Sequence, residues 1–352
     1  MIRVLVAEDS PTARALLVSM LESDPGLRVV AEARNGVEAV EMAERLRPDL
    51  ITMDVQMPGM DGLTATQAIM SRFPTPIIVV SSQADRRQAE LSLEATGAGA
   101  LIVLPKPVGP DAPGFAAQRD QLVAMAKAMS KVKVVRRWSS TGDRTATPPS
   151  VARFGLRPPA AARAQLIAIG ASTGGPAALR DIFAALPQDF PVPIVVVQHI
   201  ARGFVSALAH WLDGAGRITV TVATEGQPLR PASVYLAPDD AHLGVRAARA
   251  GAFSAALSQA PAVGSFRPSA THLFQSVAAV SGAATAAVIL TGMGDDGVRG
   301  LGAVRAAGGH VIAQDEASCV IYGMPREAVR AGVVDIVAPL ADIAAHLMQV
   351  VQ

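Results

Sequence analysis

Three side chains in the second half of the chain have types and settings suited to acyl-transfer chemistry. Ser172 lies in Gly170-Ala-Ser-Thr-Gly174, at the end of an apolar run and directly before Gly175-Pro176. The apolar run reads as a buried strand, and the proline beyond it as the first turn of a helix. A G-x-S-x-G pattern on such a turn lifts a serine hydroxyl above a sheet edge. There the free N–H groups of the next helix can meet an oxyanion. Two other readings fit the same residues: Ser172 as a plain N-cap, or the Gly-rich turn as a phosphate cradle. His199 closes a second apolar run in Val197-Gln-His-Ile200, and Thr291-Gly-Met-Gly-Asp-Asp-Gly297 follows a third and presents an acid. In such a set the imidazole takes the proton of the serine, and a buried carboxylate orients the imidazole. The chain order Ser…His…Asp differs from the Ser…Asp…His order of α/β-hydrolases, which disfavours that fold.

A second constellation lies in the first half. Glu8 and Asp9, Asp54, Ser81, and Lys106 each stand at or just past the end of a strand-like run. Carboxylates converging on one edge repel one another unless a cation neutralises them, and their hard oxygens suit Mg²⁺. A carboxylate beside such an ion can attack a phosphoryl group, with a hydroxyl and an ammonium to hold its oxygens.

Positioning these groups takes alternating strands and helices. In the first ~125 residues the strand-like runs are 2–7, 27–33, 50–54, 76–82 and 100–104, with helical periodicity over 12–21 and 36–46. From residue 164 the alternation resumes, with strand-like runs at 166–169, 194–198, 218–222, 234–236, 287–290 and 310–313. The pattern predicts an α/β protein of two doubly wound parallel-sheet domains, each with its site at the carboxyl ends of its strands. The domains are expected at 1–125 and 164–352, joined by a linker over 126–163. Residues 131–163 hold eight Lys/Arg against one acid, Asp143, together with Pro148-Pro149 and Pro158-Pro159. That composition reads as an extended basic linker.

The remaining composition excludes several classes. A formal net charge of +1 gives no global pull toward nucleic acid, and the linker lacks interleaved aromatics beyond Trp138 and Phe154. A single Cys319 excludes a disulfide framework. No run approaches the ~18 apolar residues of a membrane span, and no signal-peptide pattern opens the chain, so a cytoplasmic protein without membrane insertion is expected; it is taken to be a monomer. No histidine pair has metal-ligand spacing. His210, His242, His272, His310 and His346 read as structural.

The first half resembles the response-regulator receiver domain, on Glu8-Asp9, Asp54 in Met53-Asp-Val-Gln-Met-Pro-Gly-Met-Asp-Gly62, Ser81 and Lys106-Pro107. The resemblance implies a flavodoxin-like fold in which Asp54 accepts a phosphoryl group from a histidine kinase. It also implies Mg²⁺ held by Glu8, Asp9 and Asp54, with Ser81 and Lys106 sensing the phosphoryl group. Val103 stands where receivers commonly carry an aromatic residue.

The whole chain resembles the chemotaxis protein-glutamate methylesterases. The carrying motifs are Gly170-Ala-Ser-Thr-Gly-Gly-Pro176, Gln198-His199, Tyr235-Leu-Ala-Pro-Asp-Asp-Ala-His-Leu243, Arg267-Pro-Ser269, Leu290-Thr-Gly-Met-Gly-Asp-Asp-Gly297, Gln314-Asp-Glu316 and Tyr322-Gly-Met-Pro325. That likeness implies a Rossmann-like three-layer catalytic domain that needs no cofactor. Ser172 would be the nucleophile, His199 the base and Asp296 the orienting acid, with the backbone of Met293 and Thr173 forming the oxyanion hole. It implies phosphorylation-activated hydrolysis of glutamate methyl esters, and deamidation of glutamine, on a methyl-accepting chemoreceptor. Two departures stand near the site: Ala201-Arg202 where prolines are usual, and Thr271 in place of an aspartate. Neither is expected to touch the Ser-His-Asp set. Two rival classes are a nucleotide-binding response regulator, which leaves His199 and the Asp296 loop unexplained, and a DNA-binding regulator, for which no helix-turn-helix pattern speaks.

Overall fold

A computed structural model describes residues 1–81, 86–132, 134, 152–153 and 162–352. Position 82 of the expected fourth strand lies outside the described residues, as do Lys133, Arg136, Arg137, Trp138, Arg144, Phe154, Arg157 and both proline pairs of the basic stretch. The chain divides into two units, Met1–Ala146 and Thr147–Gln352.

The first unit runs β1 (Ile2–Ala7), α1 (Pro11–Glu22), β2 (Leu27–Ala33), α2 (Gly36–Leu46), β3 (Leu50–Met53), α3 (Gly62–Arg72), β4 (Ile77–Ser81), α4 (Arg86–Gly97), β5 (Ile102–Pro105) and α5 (Phe115–Met129). Its strands form one parallel sheet in the order β2-β1-β3-β4-β5. Val4–Ala7, all of β3 and all of β4 are buried, the continuous apolar reading of strands covered on both faces. Helix starts are set by side chains. Ser10 accepts from the N–H of Ala13 before Pro11 begins α1, Asn35 accepts from Glu38 N at α2, and Asp61 from Thr64 N at α3. The order reverses at β1, so the ends of β1 and β3 flank the crevice where such sheets bind ligands.

The second unit contains β6 (Ala152–Arg153), β7 (Leu166–Ala171), α6 (Gly175–Ala185), β8 (Ile194–Gln198), α7 (Val205–Asp213), β9 (Thr219–Val222), β10 (Pro228–Leu229), β11 (Ser233–Leu236), β12 (His242–Ala247) and β13 (Phe253–Ser258). It continues through α8 (Ala270–Ser281), β14 (Thr285–Ile289), α9 (Val298–Ala306), β15 (His310–Gln314), α10 (Met324–Arg330), β16 (Ile336–Ala338) and α11 (Leu340–Val351). The main sheet has the order β6-β16-β15-β14-β7-β8-β11-β9 and is parallel throughout except for the edge pair β16–β6. All six expected strands are present in it. The edge strand β6, its neighbour β16 and a separate antiparallel sheet, β10-β13-β12, were not expected. The hairpin 242–258 mixes Gly, Ala and Arg with few large apolar residues, so its alternation is faint in the sequence.

Alternate residues of the central strands divide the core. Leu166 and Ala168 of β7, Val195 and Val197 of β8, Ala287 and Ile289 of β14, and Val311 and Ala313 of β15 meet Leu273, Phe274 and Val277 of α8, Leu301 and Val304 of α9, and Ala328 of α10. The intervening Ile167, Ile169, Val196, Val288 and Ile312 are equally buried, on the side where α6 packs against α7 and α11, and α11 against β15. Phe274 has no solvent exposure, and Gly170 of β7 and Gly297 lie against its ring. Phe274→Ala is therefore expected to cost about 3–5 kcal/mol, measured by denaturant unfolding of the second unit. An unchanged midpoint would mean that α8 is not anchored through this ring.

Candidate active site

Ser172 follows β7 directly, and the helix after it begins at Gly175 with Gly174 as its cap residue and no side-chain cap. The N-cap reading of Ser172 is thereby set aside. Its backbone is held on both sides: its N–H donates to Thr291 O at 3.0 Å, and its carbonyl accepts from Gly175 N at 2.8 Å. The side chain is half-buried. Close approach to the Thr291–Gly294 loop requires Gly292, because a Cβ there would lie 2.6 Å from that of Ser172 and 2.4 Å from Met324 Sδ.

His199 arrives beside it through strand register. Ala171 and Gln198 are paired as the last residues of β7 and β8, so Ser172 and His199 are the next residues of neighbouring strands, which lie about 4.8 Å apart. His199 N donates to Ala171 O at 2.9 Å. The side-chain amide of Gln198 donates to both Ser172 O and His199 O, each at 2.8 Å. The imidazole stacks on Phe266, with centroids 4.0 Å apart and planes 4° from parallel.

The third strand, β14, neighbours β7 on the other side and leads to Asp296. The two oxygens of this buried carboxylate take five hydrogen bonds. Oδ1 accepts from Ser269 Oγ at 2.7 Å, Thr271 N at 3.0 Å and Gly297 N at 2.9 Å. Oδ2 accepts from Ala270 N at 2.7 Å and contacts His199 Nε2 at 2.9 Å. Ala270 and Thr271 are the first residues of α8, whose unpaired N–H groups and dipole favour an anion. Burial pushes the Asp296 carboxyl up, but His199, Ser269 and the backbone donors outweigh it and hold it far below the ordinary aspartate range. An ionised Asp296 can only accept, so His199 Nε2 carries the proton. In the neutral ring the lone pair is then on His199 Nδ1, which is buried and without a hydrogen-bond partner among the described residues. The neighbouring Asp295 is exposed.

The N–H groups of Thr173 and Met293 flank Ser172 on the two loops, and neither donates to another described residue. Thr173 and Met293 thus have the free donors that an oxyanion needs. Burial and the nearby Asp315 raise the Cys319 thiol well above its usual range.

The first unit gathers its expected residues as well. Lys106 Nζ bridges Glu8 Oε1 at 2.9 Å and Asp54 Oδ2 at 2.8 Å. Glu8 and Asp54 are buried and Asp9 exposed, with one oxygen of each within 4.8 Å of the others. Burial pushes the Glu8 carboxyl up, reinforced by Asp54 and only partly offset by Lys106; burial likewise raises Asp54 against the pull of Lys106. Burial pushes Lys106 down, but its two carboxylate partners outweigh that and hold it above its usual value. Three carboxylates face one ammonium, and Glu8 Oε2 is buried without a hydrogen-bond partner among the described residues. That orphaned oxygen and the all-oxygen donor set fit a hard divalent cation such as Mg²⁺. Ser81 is buried at the end of β4, where its carbonyl accepts from Lys106 N at 2.9 Å. Val103 is buried and paired with Val79.

One expectation is corrected. Thr271 does touch the acid: besides its N–H on Asp296, its Oγ1 accepts from Gly297 N at 2.8 Å, and its side chain is buried. A hydroxyl that accepts there closes the loop around Asp296 without adding charge. Arg202, the other departure, pairs with Asp240 at 2.7 Å on the surface. Phe266 and Ser269 were not singled out individually in the sequence. Ser269 was within reach of such reasoning, because Pro268-Ser269 ahead of a helical apolar pattern is an N-cap signature; no local signal marks the stacking role of Phe266.

A family model described as CheB methylesterase matches residues 167–347, and one described as response regulator receiver domain matches residues 4–112. The protein-glutamate methylesterase/protein-glutamine glutaminase 4 of Myxococcus xanthus is 54% identical, over 98% of this chain and 96% of its own length. The protein-glutamate methylesterase/protein-glutamine glutaminase 3 of Anaeromyxobacter dehalogenans is 50% identical, over 99% and 98%. Among solved structures, the Thermotoga maritima CheB methylesterase catalytic domain superposes with a TM-score of 0.52 at 40% identity, covering 53% of this chain and 98% of that one.

The lowered carboxyl of Asp296 has a consequence for stability. Its folded-state value lies below the 3.8 of an ordinary aspartate, so the stabilisation is complete above that value and is lost as pH falls below it. Unfolding of the second unit is expected to become easier with acid below about pH 4, with Asp296→Asn flattening this limb. Equal acid sensitivity of the two proteins would contradict the ionised, multiply bonded carboxylate.

Proposed function

The chain belongs to the CheB methylesterase family, and from that premise we propose that it hydrolyses γ-methyl esters of glutamate, and deamidates glutamine, on the cytoplasmic helices of a methyl-accepting chemoreceptor. The observation that carries the proposal is the His199 Nδ1 without a partner among the described residues, on a ring whose Nε2 is bound to Asp296, at the strand end next to that of Ser172.

In this reading Ser172 Oγ attacks the ester carbonyl while its proton passes to His199 Nδ1. The two ring nitrogens exchange the roles they have in serine proteases, where Nδ1 faces the aspartate. Asp296 stabilises the imidazolium without taking its proton. The N–H groups of Thr173 and Met293 receive the charge on the carbonyl oxygen. His199 then protonates the departing methoxide, methanol leaves, and an ester of Ser172 remains. Water attacks that ester with His199 again as base, freeing the glutamate carboxylate and returning the proton to Ser172. With glutamine, ammonia leaves in place of methanol.

The receiver unit supplies the control. Asp54 would accept a phosphoryl group from a histidine kinase, with Ser81 and Lys106 holding its oxygens. Glu8, Asp9 and Asp54 would hold Mg²⁺, which supplies positive charge for the incoming phosphoryl group. The orphaned Glu8 Oε2 and the raised Asp54 carboxyl support this, since a cation relieves both. Phosphorylation raises hydrolase activity and so resets the receptor after a stimulus, in the cytoplasm where kinase and receptor helices meet.

Ser172→Ala is expected to lower methanol release from a methylated receptor fragment by several orders of magnitude, as loss of a triad member typically does, while Asp54 still takes up phosphate. Asp296→Asn should cripple turnover and the exposed Asp295→Asn should not; the opposite ranking would transfer the orienting role to Asp295. A small-molecule phosphodonor with Mg²⁺ is expected to accelerate the full chain and to have no effect on Asp54→Asn. Equal acceleration of both proteins would end the regulatory part of the reading.

A further inference from the structure

We infer that His242 is a positioning residue for this hydrolysis, acting through Ser269 on Asp296; the inference rests on the proposed hydrolase reading. His242 opens β12 and is fully buried, and it contacts none of the groups assigned to proton transfer. Its ring nitrogens face two backbone groups. Nδ1 lies 3.2 Å from Ser269 N, and Nε2 lies 3.1 Å from Pro261 O. A backbone N–H can only donate and a carbonyl can only accept, so Nδ1 carries no proton and Nε2 does. His242 is thus a neutral imidazole of one fixed tautomer. Its ring stacks on that of His272, with centroids 4.5 Å apart at 20°, and burial holds His272 below the ordinary histidine value.

Ser269 is the cap residue of α8, and its own N–H has no helical partner. His242 takes that N–H. The hydroxyl is thereby aimed so that it donates to Asp296 Oδ1 at 2.7 Å and accepts from His272 N at 3.4 Å. Every polar group on the inner side of the cap then has one assigned direction. Asp296 Oδ1 is pinned by this hydroxyl together with Thr271 N and Gly297 N, which leaves Oδ2 to Ala270 N and His199 Nε2. An apolar residue at 242 would fill the same volume but leave a buried N–H unpaired, and the cap would turn to satisfy it. The effect on the reaction lies in the aim of the His199 ring and not in substrate binding. It belongs in kcat rather than KM.

Three variants of the full chain separate this from simple packing. In His242→Asn the amide oxygen stands near the place of Nδ1 and can accept from Ser269. In His242→Gln the amide reaches the place of Nε2 instead, and His242→Phe has neither group. With a peptide carrying a glutamate γ-methyl ester, H242Q and H242F are expected to lose roughly 10–100-fold in kcat at unchanged KM, the size of loss seen when a partner that orients a metal ligand is removed. H242N should lose markedly less. The downfield proton resonance of His199 Nε2–H, recorded without substrate, should move in H242Q and H242F and hold in H242N. Three variants alike in kcat, a change confined to KM, or a resonance indifferent to the substitution would overturn the proposal. If H242Q and H242F do not fold, H242N decides: its failure to fold, or its loss of turnover or resonance, is equally fatal. Because the resonance needs no substrate, failure of the positioning argument is read separately from failure of the hydrolase reading, which Ser172→Ala in the ester assay addresses.

Discussion

The second unit depends on one buried anion held at the end of one helix. Asp296 gives up its hydration to sit beneath the loop after β14, and five fixed donors replace the lost water. Hydrogen bonds to a charged group contribute roughly 1.5–3 kcal/mol each, enough together to outweigh burial and keep the carboxylate ionised. The donors are in place because α8 is in place. Leu273, Phe274 and Val277 seat the helix against β7, β8 and β14, and that seating aims its first N–H groups at the acid. The core thus determines which nitrogen of His199 is free.

The two units meet the same electrostatic problem in opposite ways. Glu8 and Asp54 are as buried as Asp296, yet their carboxyls are pushed up while that of Asp296 is pulled down. The difference is the supply of donors. One ammonium, Lys106, serves both receiver acids, and one oxygen of Glu8 has no partner among the described residues. A carboxylate site with all its donors built in is ready for a permanent task. One short of positive charge is suited to groups that come and go.

Much of this was legible in the sequence, for a physical reason. Ser172, His199, Asp54 and Lys106 each stand where an apolar strand run stops, and Asp296 in the loop that follows one; in parallel sheets those stops share one edge. What could not be read were contacts made across long stretches of chain. Ser269 reaches Asp296 over 27 positions, and Phe266 lies under His199 without any periodic pattern to place it. Thr271 was expected to stand clear of the acid, because a side-chain difference says nothing about where its backbone N–H points. The antiparallel sheet β10-β13-β12 was missed because β10 has only two residues and β12 and β13 mix small and polar residues with few large apolar ones, so the pleat leaves little hydrophobic contrast.

The register of β7 on β8 bears on how this enzyme can change over evolutionary time. Ser172 and His199 each stand one residue beyond the paired Ala171 and Gln198, so their spacing is set by the sheet ladder and not by the chain that joins them. Lengthening or shortening the connection between α6 and β8 leaves the pairing untouched. One residue gained or lost inside either strand turns every following side chain to the opposite face and separates the two groups while the sheet survives. Drift in chain length is therefore confined to the connections, and the strands themselves are closed to it.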